Sequence, residues 1–228
     1  MEINATVKEV VQETPRVRLV RLVWPGVSDF VFKPGQWISV HCDDFLGPDG
    51  KPLRRAFSIA SRPGMPYLEL CITRGEGLSA HLQDLSPGAV VHVDGPYGLF
   101  CLHPSKKYLF IAGGSGIAPF RPMIYQALAE KKDVLFIFSI KTPSDFIYRT
   151  ELEELKKNPK FKMIVTITVD QFPQWDGERG RIQDFLQKYC KPAFDAYVCG
   201  PPGMVDAVLA KLTELKHPAE KTFVDRWQ

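Results

Sequence analysis

The chain changes its pattern once, near residue 103, and that change limits the fold more than any single motif. Up to about residue 100 it reads as short β-rich runs: Ile3 to Val11, Arg16 to Val23, Gln36 to His41, Ala56 to Ala60, Tyr67 to Thr73 and Val90 to Asp94. Turn-forming clusters separate them, at Pro25-Gly26, Pro34-Gly35, Pro48-Asp49-Gly50, Pro63-Gly64 and Pro87-Gly88. One helical candidate, Leu78 to Leu85, follows the Gly75-Glu76-Gly77 turn. Strands this frequent, with so little helix between them, predict a small antiparallel barrel or sandwich.

From about residue 107 apolar strands alternate with helices. Tyr108 to Ala112, Val134 to Ile140, Met163 to Val169 and Ala196 to Cys199 read as strands, with Thr222 to Val224 as a last one. Helices are expected over Pro119 to Glu130, Thr150 to Lys157, Ile182 to Lys188 and Pro202 to Leu215. Near-continuous apolar strands in this alternation predict a parallel sheet covered on both faces. The 228 residues therefore divide into two domains, 1–103 and 104–228, with the boundary in Leu102 to Lys106.

Charge and cysteine usage exclude several function classes. A net charge of +3 is far from the concentrated positive field of a nucleic-acid protein. The Lys106-Lys107, Lys131-Lys132 and Lys156-Lys157 pairs lack interleaved aromatics and read first as solvated turns and helix ends, with a docking patch for an acidic redox protein as the alternative. The five cysteines are odd in number and contain no C-x-x-C, which argues against a disulfide framework, an iron–sulfur cluster or a zinc site and for reduced thiols in a cytoplasmic setting. No signal-peptide pattern opens the sequence, no apolar run is long enough for a membrane span, and no metal site is expected.

Four motifs carry chemistry. Gly113-Gly114-Ser115-Gly116-Ile117-Ala118-Pro119 leaves a buried strand and opens a helix. Glycines there let the backbone approach a diphosphate, and the helix start offers unpaired N–H groups to its charge. The spacing is that of neither the standard dinucleotide fingerprint nor a P-loop. The others are Arg55-Ala56-Phe57-Ser58-Ile59-Ala60-Ser61, Gly95-Pro96-Tyr97-Gly98-Leu99-Phe100 and Cys199-Gly200-Pro201-Pro202-Gly203-Met204. Each alone has a plain reading, as a strand with a surface arginine, a proline turn and a buried cysteine before a helix.

In this order, on a β half followed by a βαβ half, the motifs resemble the ferredoxin–NADP⁺ reductase superfamily over nearly the whole chain. The resemblance implies a six-stranded antiparallel β-barrel of Greek-key topology that binds flavin, followed by an α/β domain that binds nicotinamide dinucleotide. It implies that Arg55 meets the flavin phosphates, that Ala56 and Phe57 pack along the cofactor, and that Ser58 stands near flavin N5. Phe57 replaces the family's usual tyrosine and supplies no phenol hydrogen bond. Cys71, Ile72 and Thr73 are expected to line the flavin through their backbone, and Gly77, Leu78 and Ser79 to form a second phosphate turn, which favours FAD over FMN. Gly113, Gly114, Gly116, Ile117, Ala118 and Pro119 are expected to receive the nicotinamide half. Cys199 is placed beside the nicotinamide ring, positioning and polarising it, with Gly200, Pro201 and Met204 shaping the pocket. Catalytic weight falls on Ser58 and Cys199, and the histidines need no catalytic role. Phe223 or Trp227 is a candidate cover for the flavin, with core packing as the alternative for Phe223.

The implied activity is hydride transfer from NADH or NADPH to flavin, then electron transfer to a separate acceptor such as a ferredoxin, oxygenase or haem protein. Reduction of free flavin or another small acceptor, and service as an electron-transfer subunit of a larger complex, are the alternatives. Lys141 and Arg149 suit a 2′-phosphate, whereas Asp145 suits a free 2′-hydroxyl. The Thr168-Val169-Asp170 run is similar to that of relatives of NADH–cytochrome b5 reductase and tilts the expectation towards NADH.

Overall fold

The structure, a computed structural model, describes residues 2–226. Strands β1 (Glu2–Thr14), β2 (Val17–Val23), β3 (Trp37–His41), β4 (Arg55–Ser58), β5 (Leu68–Thr73) and β6 (Val90–Tyr97) form one six-stranded antiparallel sheet in the order β4-β3-β6-β1-β2-β5. The sheet curls until its edges meet, through an antiparallel bridge from Ile59 to Leu70 and a 2.9 Å bond from Ala60 N–H to the Glu69 carbonyl. With β4 against β5, strand β6 returns beside β3, which is the Greek-key order. Strand alternation turns Ala5, Val7, Val20, Leu22, Ile38, Val40, Leu70, Val91 and Val93 into a common core. Helix α1 (Leu78–Asp84) buries Leu78 and Leu82, one turn apart, in the same core.

The second sheet contains β7 (Lys107–Gly113), β8 (Asp133–Ile140), β9 (Phe161–Ile167), β10 (Glu178–Arg179), β11 (Asp195–Gly200) and β12 (Thr222–Arg226), all parallel, in the order β10-β9-β8-β7-β11-β12. The helices are α2 (Phe120–Ala129), α3 (Arg149–Leu155), α4 (Ile182–Tyr189) and α5 (Pro202–Glu214). In β7, Tyr108, Phe110 and Ala112 share a core with α2 and α3, while Leu109 and Ile111 pack with α4 and α5. The first of these cores also takes in Val17, Leu19, Ala60 and Cys71 from the barrel, so apolar packing runs without a break from one sheet to the other.

The observed elements match the expected class and differ in detail. The short β10 has too little apolar signal to be read from sequence. Strand β6 runs on through Gly95 and Pro96, which sequence reasoning treats as a turn. The glycine-rich segment forms a 3-10 turn, Gly114–Ile117, before α2 begins, so Pro119 caps α2 rather than entering it.

Strand order reverses between β7 and β11, and their carboxyl ends, Gly113 and Gly200, bound the crevice that such a switch point creates. The crevice walls are locked by backbone contact. A Cβ at position 116 would lie 2.4 Å from the Cys199 carbonyl oxygen, so only glycine fits there. Gly114 differs: its φ is +54° and a Cβ would meet open space. Gly116→Ala therefore forces two backbones apart and is expected to destabilise the fold by roughly 1–3 kcal/mol or more. Gly114→Ala carries only left-handed strain, about 1–2 kcal/mol. Urea denaturation of the two variants tests this; equal midpoints would contradict the interlock.

Candidate functional site

A cavity of about 710 Å³ lies between the barrel and the carboxyl ends of the parallel strands. From β4 come Arg55, Ala56, Phe57 and Ser58. Arg54 is tied to Glu2 at 2.8 Å and also lines the cavity, whereas among the described residues no carboxylate pairs with Arg55. Ser58 is nearly buried and lies opposite Trp37, whose ring packs on Tyr97 at 4.9 Å. Strand β5 contributes Cys71, Ile72 and Thr73, and α1 contributes Ser79. Gly77, with φ +64°, caps α1, and Leu78 points into the barrel core, so neither side of that turn offers a side chain to the cavity.

The facing wall is the glycine-rich turn, which presents Ser115 and Ala118. Gly113, Gly116, Ile117 and Pro119 stand behind it, buried. The Thr73 hydroxyl donates to the Ser115 hydroxyl at 2.7 Å, a direct bond between barrel strand β5 and the turn. Met204 packs over Gly113 and Gly200, so its sulfur anchors α5 to the turn. Pro201 sits beside the same glycine.

Cys199 is fully buried and does not line the cavity; its cross-strand neighbour Asp225 does, with Arg226. The Cys199 thiol and the Asp225 carboxylate are 3.9 Å apart. Burial, reinforced by Asp225, holds this thiol well above the usual cysteine range, so it stays protonated. Phe223 is stacked between His103, at 4.4 Å, and Tyr197, at 4.6 Å, and does not line the cavity. That is the core-packing alternative; Trp227 lies outside the described residues. Asp225 and Arg226, the latter ion-paired with Asp206 at 2.9 Å, escape sequence reasoning because two charged residues closing a strand carry no motif. Their signal is position, at the carboxyl end of a strand in a parallel sheet.

Lys141, Asp145 and Asp170 lie beyond the ends of β8 and β9, outside this cavity. Asp145 caps its own turn, accepting from the Thr142 N–H at 3.0 Å and hydroxyl at 2.7 Å. Asp170 is ion-paired with Arg179, which also donates to the carbonyls of Phe172 and Trp175. Lys141 is exposed. The histidines sit elsewhere: His41 stacks on His92 at 4.6 Å, and His217 bonds Thr222 and the Phe194 carbonyl.

All five cysteines are free, and burial raises every one of their thiols, Cys42 up to about 12 and Cys190 to about 11. Thiolate is the reactive form. Ellman's reagent at pH 8 is therefore expected to react slowly with the native protein and with all five thiols in guanidinium chloride. A fast native equivalent mapped to Cys199 would contradict this environment.

The family model of the oxidoreductase NAD-binding domain matches residues 110–210. Ferredoxin–NADP reductase B of Sorangium cellulosum is 33% identical, over 94% of this chain and 93% of its own. The glycine betaine monooxygenase reductase subunit of Pseudomonas aeruginosa is 32% identical over 88% of this chain, which matches 57% of that protein's length. A ferredoxin NADP⁺ reductase from Neisseria gonorrhoeae, solved with FAD and NADP bound, has the same fold, with a TM-score of 0.83, 21% identity and 98% coverage of each chain. Barrel, switch-point crevice and full-length similarity lead to one assignment: the chain belongs to the ferredoxin–NADP⁺ reductase family.

Proposed function

We propose that this protein is an NAD(P)H-dependent flavoprotein reductase, with residues 1–103 holding FAD and 104–228 holding the nicotinamide coenzyme. One observation carries the reading: Arg55 and Ser58 on the barrel face Ser115 and Ala118 of the glycine-rich turn across a single cavity. The residues fit a flavin dinucleotide. An arginine that pairs with no carboxylate among the described residues suits a diphosphate, and Ser79 at the head of α1 adds a hydroxyl on the same wall. When bound, FAD supplies the hydride acceptor and the means of passing electrons onward.

The protein's own part is positioning. Ser58, held nearly buried on β4, offers its hydroxyl inside the cavity. Gly114 leaves its face of the turn open, so a coenzyme can approach the backbone there. Cys199, protonated and buried, supports the wall from behind and is no nucleophile. The cavity between β4 and the glycine-rich turn would hold donor and acceptor together away from water, and such positioning would supply much of the rate enhancement.

The acceptor we propose is a separate redox protein. Tyr97 and the 95% exposed Leu99 form an apolar edge next to Trp37, which lines the cavity. Free flavin or another small acceptor is the second reading. No helix among the described residues is long and apolar enough to cross a membrane. Five unpaired cysteines favour a cytoplasmic site of action.

For the coenzyme we propose NADH. Asp170 puts a carboxylate beyond β9, and its Arg179 partner is committed to that carboxylate and to loop carbonyls, leaving it unavailable to a 2′-phosphate. Anaerobic addition of NADH is expected to bleach the flavin, with kcat/KM roughly tenfold or more above that for NADPH. Asp170→Ser is expected to narrow the ratio. Equal use of both coenzymes by the unaltered protein would contradict the NADH reading, and a protein that takes up no flavin would refute the whole assignment.

A further inference from the structure

Glu69 is a fully buried carboxylate on β5, two positions before the cavity-lining Cys71. Its Oε2 accepts from Arg21 Nε at 2.7 Å, and its Oε1 accepts from Arg121 Nη1 at 3.0 Å and from the Tyr148 hydroxyl at 2.9 Å. Arg121 Nη1 also donates to the Ala60 carbonyl at 2.9 Å. The Nε and Nη2 of Arg121 clasp Glu151 at 2.9–3.0 Å, and its guanidinium lies 4.5 Å from the Tyr148 ring centre.

These contacts fall at a particular place. Ala60 and Glu69 flank the seam where the barrel closes, and Ala60 stands two positions after Ser58. Arg121 is the second residue of α2, directly behind the Ala118 and Pro119 end of the glycine-rich turn. A short path, closed by the single hydrogen bond from Arg121 Nη1 to the Ala60 carbonyl, therefore leads from Ser58 through Ala60 and the guanidinium and back through Phe120 to Ala118. The Thr73–Ser115 bond is another tie between the same two walls.

We propose that Arg121 is a positioning residue for the hydride step: its guanidinium, shared between Glu69, the Ala60 carbonyl and Glu151, sets the spacing between the flavin wall and the nicotinamide turn. The inference rests on the reductase reading given above. Stability alone is a poor explanation for such a network, because apolar packing of similar volume often serves as well as a buried ion pair. What a planar, many-donor fork adds is fixed geometry. Hydride transfer rewards fixed geometry, since a displacement of about 1 Å costs on the order of a hundredfold in rate.

Arg121→Lys keeps the charge and loses the fork. In anaerobic stopped flow at saturating NADH, this variant is expected to bind FAD and NADH about as tightly as the unaltered protein. Its rate of flavin bleaching is expected to fall roughly 10- to 100-fold. The long-wavelength charge-transfer absorbance, which reports flavin–nicotinamide stacking, should weaken with it; a purely structural contact would leave that band intact in folded protein. Glu69→Gln, nearly isosteric, is expected to show a smaller loss in the same direction and decides the matter if Arg121→Lys does not fold. A folded Arg121→Lys, or failing that Glu69→Gln, with unchanged bleaching rate and absorbance, or with its loss confined to the KM for NADH, would overturn the inference. Unaltered protein that holds flavin yet is bleached by neither coenzyme would refute the functional reading itself, and this inference with it.

Discussion

The site depends on the contact between two backbones at the switch point of the parallel sheet. Gly116 lies against the Cys199 carbonyl, and Met204 closes over Gly113 and Gly200. Strands β7 and β11 diverge in their onward connections, one into the glycine-rich turn and α2, the other into α5. Their carboxyl ends are nevertheless held together without a side chain between them. That leaves Ser115 and Ala118 as the surface offered to the barrel, and no bulkier residue could give the same wall.

Besides the Thr73–Ser115 hydrogen bond, the barrel meets the second domain through two kinds of contact. Apolar side chains on the outer faces of β2 and β5, Val17, Leu19 and Cys71, enter the core of the second sheet. Beside them, the buried Glu69 carboxylate needs partners from both halves of the chain, because an unpaired charge there would cost several kcal/mol. Apolar packing holds the halves together but tolerates sliding, whereas the charged network tolerates little. Between them the cavity keeps a defined width, with Arg55 free of any carboxylate among the described residues.

Much of this was legible in the sequence, for reasons that differ from residue to residue. Strand and helix positions follow from the period of apolar residues and the spacing of Pro-Gly turns, which act locally. The glycine-rich turn was legible as a place of close backbone approach. What the sequence concealed is that Gly113 and Gly116 make room for Met204 and Cys199, some ninety residues later, whereas Gly114 in the same turn faces open space. Phe223 shows the limit of reading a strand without its register: it pairs with Tyr197 below the crevice, and Asp225, two positions on, reaches the rim. Glu69 and Arg121 carried no local signal at all, since a buried ion pair between distant residues appears only once the chain has folded.

On the proposed function, Arg55 and the wall around it form the site for a flavin dinucleotide. Equilibrium binding of FAD and of riboflavin to the cofactor-stripped protein, and to its Arg55→Met variant, tests it most directly. The unaltered protein is expected to prefer FAD by roughly a hundredfold or more, and Arg55→Met to lose about tenfold to a hundredfold for FAD while its riboflavin affinity scarcely moves, as for a charge-assisted phosphate contact of about 1.5–3 kcal/mol. Equal affinities for FAD and riboflavin, or an Arg55→Met variant that binds FAD as tightly as its parent, would contradict it.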